Sequence, residues 1–241
     1  VVPCYNEEES LPLFLTDFGK VAEQLSSLYF EILLVDDGSK DNTLALAKKF
    51  AASDDRIRVL SFSRNFGKEA ALLAGLTNAT GDLVAVMDAD LQDPPELLIQ
   101  MVAIMQETSC DCVVAHRVTR AGEPPIRSFF ARMFYKMVNR LDAVPIVDGA
   151  RDFRLMRREM VDAILTLGER RRFSKVLFAW VGFDVRYIAY ENVERVAGVT
   201  KFSFWGLLQY ALEGVFSLTT MPLTLSAGFA VLALLACIVL L

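Results

Sequence analysis

Short apolar runs, each followed by a polar or acidic cluster and then a helical pattern, limit what this chain can fold into. Val1 to Cys4 reads as the end of a strand, and EILLV (Glu31 to Val35), Ile57 to Phe62, Leu83 to Met87 and Cys110 to His116 read as further strands. Helical periodicity fills the gaps over Leu11 to Leu28, Asn42 to Ala52, Glu69 to Ala79, and from Pro94 and Pro95 to Glu107. Proline suits a first helical turn, where its missing N–H is no loss. The strands are continuous apolar runs rather than alternating patterns. That describes an α/β fold, a parallel sheet with helices on both faces. Such sheets bind ligands at the carboxyl ends of their strands. Asn6-Glu7-Glu8, Asp36-Asp37, Arg64-Asn65 and Asp88-Ala89-Asp90 all fall there.

The composition divides the chain in two. Of its 241 residues 54% are hydrophobic, and the excess lies at the end. Leu223 to Leu241 (LTLSAGFAVLALLACIVLL) carries no charged residue. As a helix it would span about 28 Å, the thickness of a bilayer's hydrocarbon core. It reads as a transmembrane helix rather than a core helix, which would show a polar stripe. The chain starts without Met and stops within this run, so it reads as a fragment of a longer protein.

Several functions are excluded. The four cysteines form neither a disulfide framework nor zinc spacing, although Cys110 and Cys112 would share one face of a strand. The single histidine, His116, rules out multi-histidine metal sites and reads as a strand-end residue. No Gly-x-Gly-x-x-Gly follows the first strand and no Walker lysine loop occurs. A net charge of −5 argues against a nucleic-acid partner.

The sharpest motif is VMDADLQDPPE (Val86 to Glu96), in which a strand ends on charges that repel one another. In an extended chain Asp88, Asp90 and Gln92 share one face. Three oxygen ligands there make a partial shell for a hard divalent cation, Mg²⁺ or Mn²⁺. An acidic cap for the Pro94 helix would account for Asp93 but not for the set.

Six motifs, VPCYNEEESLP, LLVDDGSKDNT, SFSRNFGKEAALLAGLTNATGD, DADLQDPPE, DFRLM and RVAGVTKF, stand in the order found in family 2 glycosyltransferases. The resemblance covers nearly the whole chain. It is strongest to the membrane-anchored polyprenyl-phosphate group, which includes bactoprenol (undecaprenyl-phosphate) glucosyltransferases and dolichol-phosphate mannose synthases. It implies a GT-A type nucleotide-diphospho-sugar transferase domain over residues 1–200, an interfacial segment over 201–221 and a transmembrane helix over 222–241. It places Asp88 and Asp90 on the metal that holds the donor diphosphate, with Gln92 as a further ligand. Pro3, Tyr5, Glu7, Asp36 and Asp37 resemble the nucleotide pocket, and Arg64 and Lys68 fall where the family contacts the nucleotide. Asp152 in DFRLM matches an acid facing sugar and acceptor. Arg195 and Lys201 resemble a basic loop closing over phosphates.

The implied reaction is inverting transfer from a nucleotide sugar, a UDP-sugar such as UDP-glucose, to polyprenyl phosphate at the cytoplasmic face of the cell's inner membrane. Relatives suggest a homo-oligomer. The segment Ile126 to Leu141 sets Arg132, Lys136 and Arg140 on one helical face beside aromatic and aliphatic residues. It reads equally as an interfacial helix or as an amphipathic helix packed on the core. Arg117, Arg127 and Arg132 are candidates for the acceptor phosphate. Phe202 to Thr220, with Trp205 and Tyr210, is a second interfacial candidate. Alternatives of other kinds are GDP-mannose transfer, a processive polysaccharide synthase, whose Gln-x-x-Arg-Trp motif is missing, and a membrane-anchored sugar-nucleotide sensor or scaffold.

Overall fold

The computed structural model describes residues 1–118, 150–169, 172, 174–190 and 221–240. Seven strands are present among them: β1 (Val2–Cys4), β2 (Ile32–Asp36), β3 (Ile57–Ser61), β4 (Leu83–Val86), β5 (Cys112–Arg117), β6 (Ala150–Arg157) and β7 (Val185–Tyr190). The helices are α1 (Ser10–Gln24), α2 (Thr43–Ser53), α3 (Lys68–Asn78), α4 (Leu97–Glu107), α5 (Arg158–Thr166), α6 (Ser174–Trp180) and α7 (Met221–Leu240).

One set of strands runs in the order β1-β2-β3, all parallel. The other runs β4-β6-β5-β7. Two backbone bonds join them: the Val1 amine donates to the Ala85 carbonyl at 2.7 Å, and Met87 N–H donates to the Val1 carbonyl at 3.1 Å. β1 therefore abuts β4.

The expected parallel sheet needs one correction. β6 is antiparallel to both of its neighbours, β4 and β5. Its charges explain why it escapes a search for apolar runs. Arg151, Asp152 and Arg154 interrupt it, yet Phe153, Arg154, Leu155 and Met156 are all buried. The Arg154 guanidinium lies 3.8 Å over the Phe178 ring and donates to the Asp152 and Arg151 carbonyls. Those contacts replace the hydration that the cation loses.

Alternating side chains feed two cores, as the period of a strand requires. Ile32, Leu34, Val113, Ala115, Phe153 and Leu155 pack with α1 and α4 residues such as Phe14 and Met101. On the other face Val84, Val86, Cys112, Val114 and Met156 pack with Leu72 and Leu76 of α3 and Met160 and Ile164 of α5. In α1 the buried set Leu11, Phe14, Phe18 and Val21 recurs every three or four residues, the stripe of an amphipathic helix. Cys110 and Cys112 do not share a strand face: Cys110 precedes β5 and belongs to the first core, Cys112 to the second.

Pro94 and Pro95 precede α4 rather than start it. The helix begins at Leu97, after a turn in which Leu97 N–H donates to the Pro94 carbonyl. α7 is 20 residues long and carries no charged side chain. Its side chains are described only in part, and over the described residues no helix is long and apolar enough to cross a membrane. The segments Ile126 to Leu141 and Phe202 to Thr220 lie outside the described residues.

Candidate active site

The antiparallel direction of β6 builds the site. Parallel strands present their carboxyl ends to the rim, and an antiparallel strand presents its amino end there. Val86 pairs with Arg154. Continuing that register by two residues sets Asp88 opposite Asp152. Like charges directly opposite across a strand pair are destabilising, so a cation is needed between them.

Lys68 supplies it. Its Nζ lies 2.6 Å from Asp88 Oδ1 and 2.8 Å from Asp88 Oδ2, astride the carboxylate. The same ammonium is 2.6 Å from Asp152 Oδ2. Burial alone would lower its pKa, but Asp152 and Asp88 override that and hold it above the ordinary lysine value. Lys68 is the first residue of α3, and the loop before it is fixed from below. Asp37, buried, accepts from Phe66 N–H at 2.7 Å and Gly67 N–H at 2.9 Å. Gly67 takes a φ of 96°, a conformation that favours glycine.

The residues expected in the nucleotide pocket separate into two kinds. Asp36 and Asp37 are 2% and 3% exposed and organise loops. Asp36 accepts from Ser39 N–H at 3.2 Å and Ser61 Oγ at 3.1 Å. Pro3, Tyr5 and Glu7 are partly exposed at the end of β1. Glu7 N–H donates to Thr43 Oγ1 at 2.7 Å, and Asn6 N–H to Ser39 Oγ at 3.0 Å, so the first two rim loops are tied together. Arg64 is exposed, with its guanidinium 3.9 Å over the Phe66 ring. Arg117 ends β5 on the same rim. Arg127, Arg132, Arg195 and Lys201 lie outside the described residues.

The expected single-face array of Asp88, Asp90 and Gln92 is not what forms. The chain turns at Ala89 and Asp90, and Leu91 has a φ of 55°. An alternation argument needs extended backbone, and this segment is not extended. Asp90 Oδ1 accepts the Gln92 N–H at 3.2 Å, and Gln92 Oε1 accepts from Arg151 at 3.3 Å. Among the described residues no group of three or more His, Cys, Asp or Glu is arranged to hold a metal ion. The donor chemistry nevertheless fits a hard cation: Asp88 and Asp152 already converge on one positive charge, and their ligand atoms are all oxygens.

Sequence reading missed a second network. Asp93 is buried and does not cap α4, whose first turn makes no side-chain cap bond. It is paired with Arg151 Nε at 2.9 Å and accepts the Tyr190 hydroxyl proton. Burial raises the Asp93 carboxyl, against the opposing pull of Arg151 and that hydrogen bond. The turn after Asp90 is thereby fastened to β6 and β7. Glu69 was missed too. It accepts from the Ser174 N–H at 2.9 Å and from the Ser174 hydroxyl, anchoring α6 beside Lys68. Its position directly after Lys68 was the one available signal.

Glycosyl transferase family 2 matches residues 1–165. An uncharacterized glycosyltransferase of Synechocystis sp. is 44% identical over 225 residues, covering 92% of this chain and 70% of its own. The bactoprenol glucosyl transferase of Shigella phage SfX is 42% identical over 223 residues, covering 92% of this chain and 72% of its own. Among solved structures, mannosyl-3-phosphoglycerate synthase from Rubrobacter xylanophilus superimposes with a TM-score of 0.63 at 18% identity, over 90% of this chain and 71% of that one. Glucosyl-3-phosphoglycerate synthase from Mycobacterium tuberculosis, in complex with Mn²⁺, UDP and phosphoglyceric acid, gives 0.58 at 17% identity, over 90% and 75%. These two structures share the GT-A-like α/β fold, and the sequence matches carry the classification: the chain is a glycosyltransferase belonging to glycosyl transferase family 2.

Proposed function

We propose that this glycosyltransferase moves a sugar from a nucleotide sugar, a UDP-sugar such as UDP-glucose, to a polyprenyl phosphate at the cytoplasmic face of the inner membrane, with inversion at the anomeric carbon. The observation that carries the reading is the convergence of Asp88 and Asp152 on one cation at the carboxyl rim. The 42% identity to a bactoprenol glucosyl transferase supports the acceptor. The solved relative with Mn²⁺ and UDP supports the donor class.

In this reading Asp88 and Asp90, with Gln92, hold Mg²⁺ or Mn²⁺. The bound ion supplies Lewis-acid stabilisation of the charge that grows on the leaving diphosphate. Pro3, Tyr5, Glu7 and Arg64 form the open side of the rim for the nucleotide. Asp37 acts beneath it by fixing the loop that carries Lys68. A phosphate acceptor is ionised at neutral pH, so the attacking oxygen needs no strong base. Asp152 therefore orients sugar and acceptor rather than removing a proton. Arg117 and the basic residues Arg127, Arg132, Arg195 and Lys201 are assigned to the acceptor phosphate and the closing loop. α7, about 30 Å long as a helix, is assigned to the bilayer, which sets the rim at headgroup level.

The direct test is Asp90→Asn in full-length protein with radiolabelled nucleotide sugar and undecaprenyl phosphate. Transfer to the lipid should fall by at least 100-fold while circular dichroism is unchanged. Undiminished transfer would remove Asp90 from the site.

A further inference from the structure

We propose that Lys68 is a resident counter-ion whose exchange makes metal binding depend on the donor diphosphate. The inference rests on the reading that Asp88 holds a divalent cation.

The geometry is specific. Lys68 Nζ contacts both oxygens of Asp88 and one of Asp152. A metal ligated by Asp88 would bind the same oxygens at about 2.1 Å, so the ammonium and the metal compete for one carboxylate. A free divalent ion must therefore displace Lys68 and leave its charge beside the newly bound cation. A nucleoside diphosphate changes the balance by giving the displaced ammonium an anionic partner. Metal and diphosphate then bind cooperatively, and each strengthens the other by the same factor. The loop geometry suits such a swing. Lys68 is a long, flexible side chain, 41% exposed, at the first position of its helix, while Asp37 fixes only the backbone before it. Glu69, the next acid along, is held by Ser174 and leaves Lys68 to Asp88 and Asp152.

The test is titration of Mn²⁺, followed by electron paramagnetic resonance, into detergent-solubilised full-length protein, with and without UDP. Lys68→Met should bind Mn²⁺ alone about tenfold more tightly than the unsubstituted protein, the scale of two part-exposed ion pairs. The strengthening of Mn²⁺ binding by UDP should shrink by a similar factor. Lys68→Arg, which keeps the charge, should stay close to the unsubstituted protein on both counts. Mn²⁺ affinity that is unchanged or weaker in a folded Lys68→Met protein would overturn the exchange. Asp88→Asn separates the two ideas. If it abolishes Mn²⁺ binding while Lys68→Met changes nothing, the exchange alone fails. If Mn²⁺ binds Asp88→Asn as before, the metal-site reading fails and the exchange with it.

Discussion

At the scale of single residues, the rim depends on positions that do no chemistry. Gly38 follows the buried Asp36-Asp37 pair with a φ of 66°, and a Cβ there would lie 2.4 Å from the Arg64 carbonyl carbon. Both the conformation and the contact oppose any side chain. Gly38→Ala should cost about 1–3 kcal/mol, read as a lower denaturation midpoint in urea. A midpoint within error of the parent would show that the Arg64 loop yields without cost. Much of this site was legible because its residues stand at strand ends in short acidic motifs. Asp88 stands at the end of an apolar run and is legible on the rim; Asp152 enters only through the resemblance, and β6 brings it to the same lysine. The role of Asp93 was not legible, because its partners Arg151 and Tyr190 lie 58 and 97 residues away in sequence. Local spacing made it look like a helix cap. The shared face expected of Asp88, Asp90 and Gln92 does not form for a different reason: Leu91 takes a positive φ that no alternation rule anticipates.

At the scale of elements, β2 was readable because both its faces are buried, which leaves a continuous apolar run. β6 was not, because its charges find their partners far away in the chain: Arg151 on Asp93 before α4, Asp152 on Lys68 of α3, and Arg154 over the Phe178 ring of α6. The link between α3 and α6 is also electrostatic. Burial raises the Glu69 carboxyl above its ordinary value, despite the hydrogen bonds from Ser174. The folded protein then binds a proton more readily than the unfolded chain. Its stability falls as pH rises from the ordinary glutamate range through the raised value. Glu69→Gln keeps an acceptor for Ser174 and abolishes the titration. Its stability should fall less over that interval, measured by urea denaturation at a series of pH values. An identical pH slope in both proteins would mean that Glu69 is as well solvated folded as unfolded.

For the whole molecule, the two parallel and mixed strand sets meet along β1 and β4, and the candidate site lies on the rim beside that seam. The proposed membrane role of α7 is separable from the catalytic fold. A chain ending at Thr220 should keep its far-ultraviolet dichroism for the α/β domain and move out of the membrane fraction if α7 is the principal anchor. It should then transfer sugar to a short, water-soluble prenyl phosphate better than to the long-chain lipid. Full-rate transfer to the long-chain acceptor would dissociate α7 from lipid delivery.

The strand that runs against its neighbours has a consequence for the order of biosynthesis. β6 lies between β4 and β5 and precedes neither in the chain. When residues 1–118 have left the ribosome, the first three strands have all their partners, but β4 and β5 still wait for the strand that separates them. Asp88 is present at that stage and Asp152 is not. The nascent protein thus carries Asp88 and Lys68 before it possesses Asp152, and the candidate site closes only when β6 is inserted. Long-range closures of this kind are slow relative to local ones, and β7, which pairs with the far side of β5, follows later still in the chain.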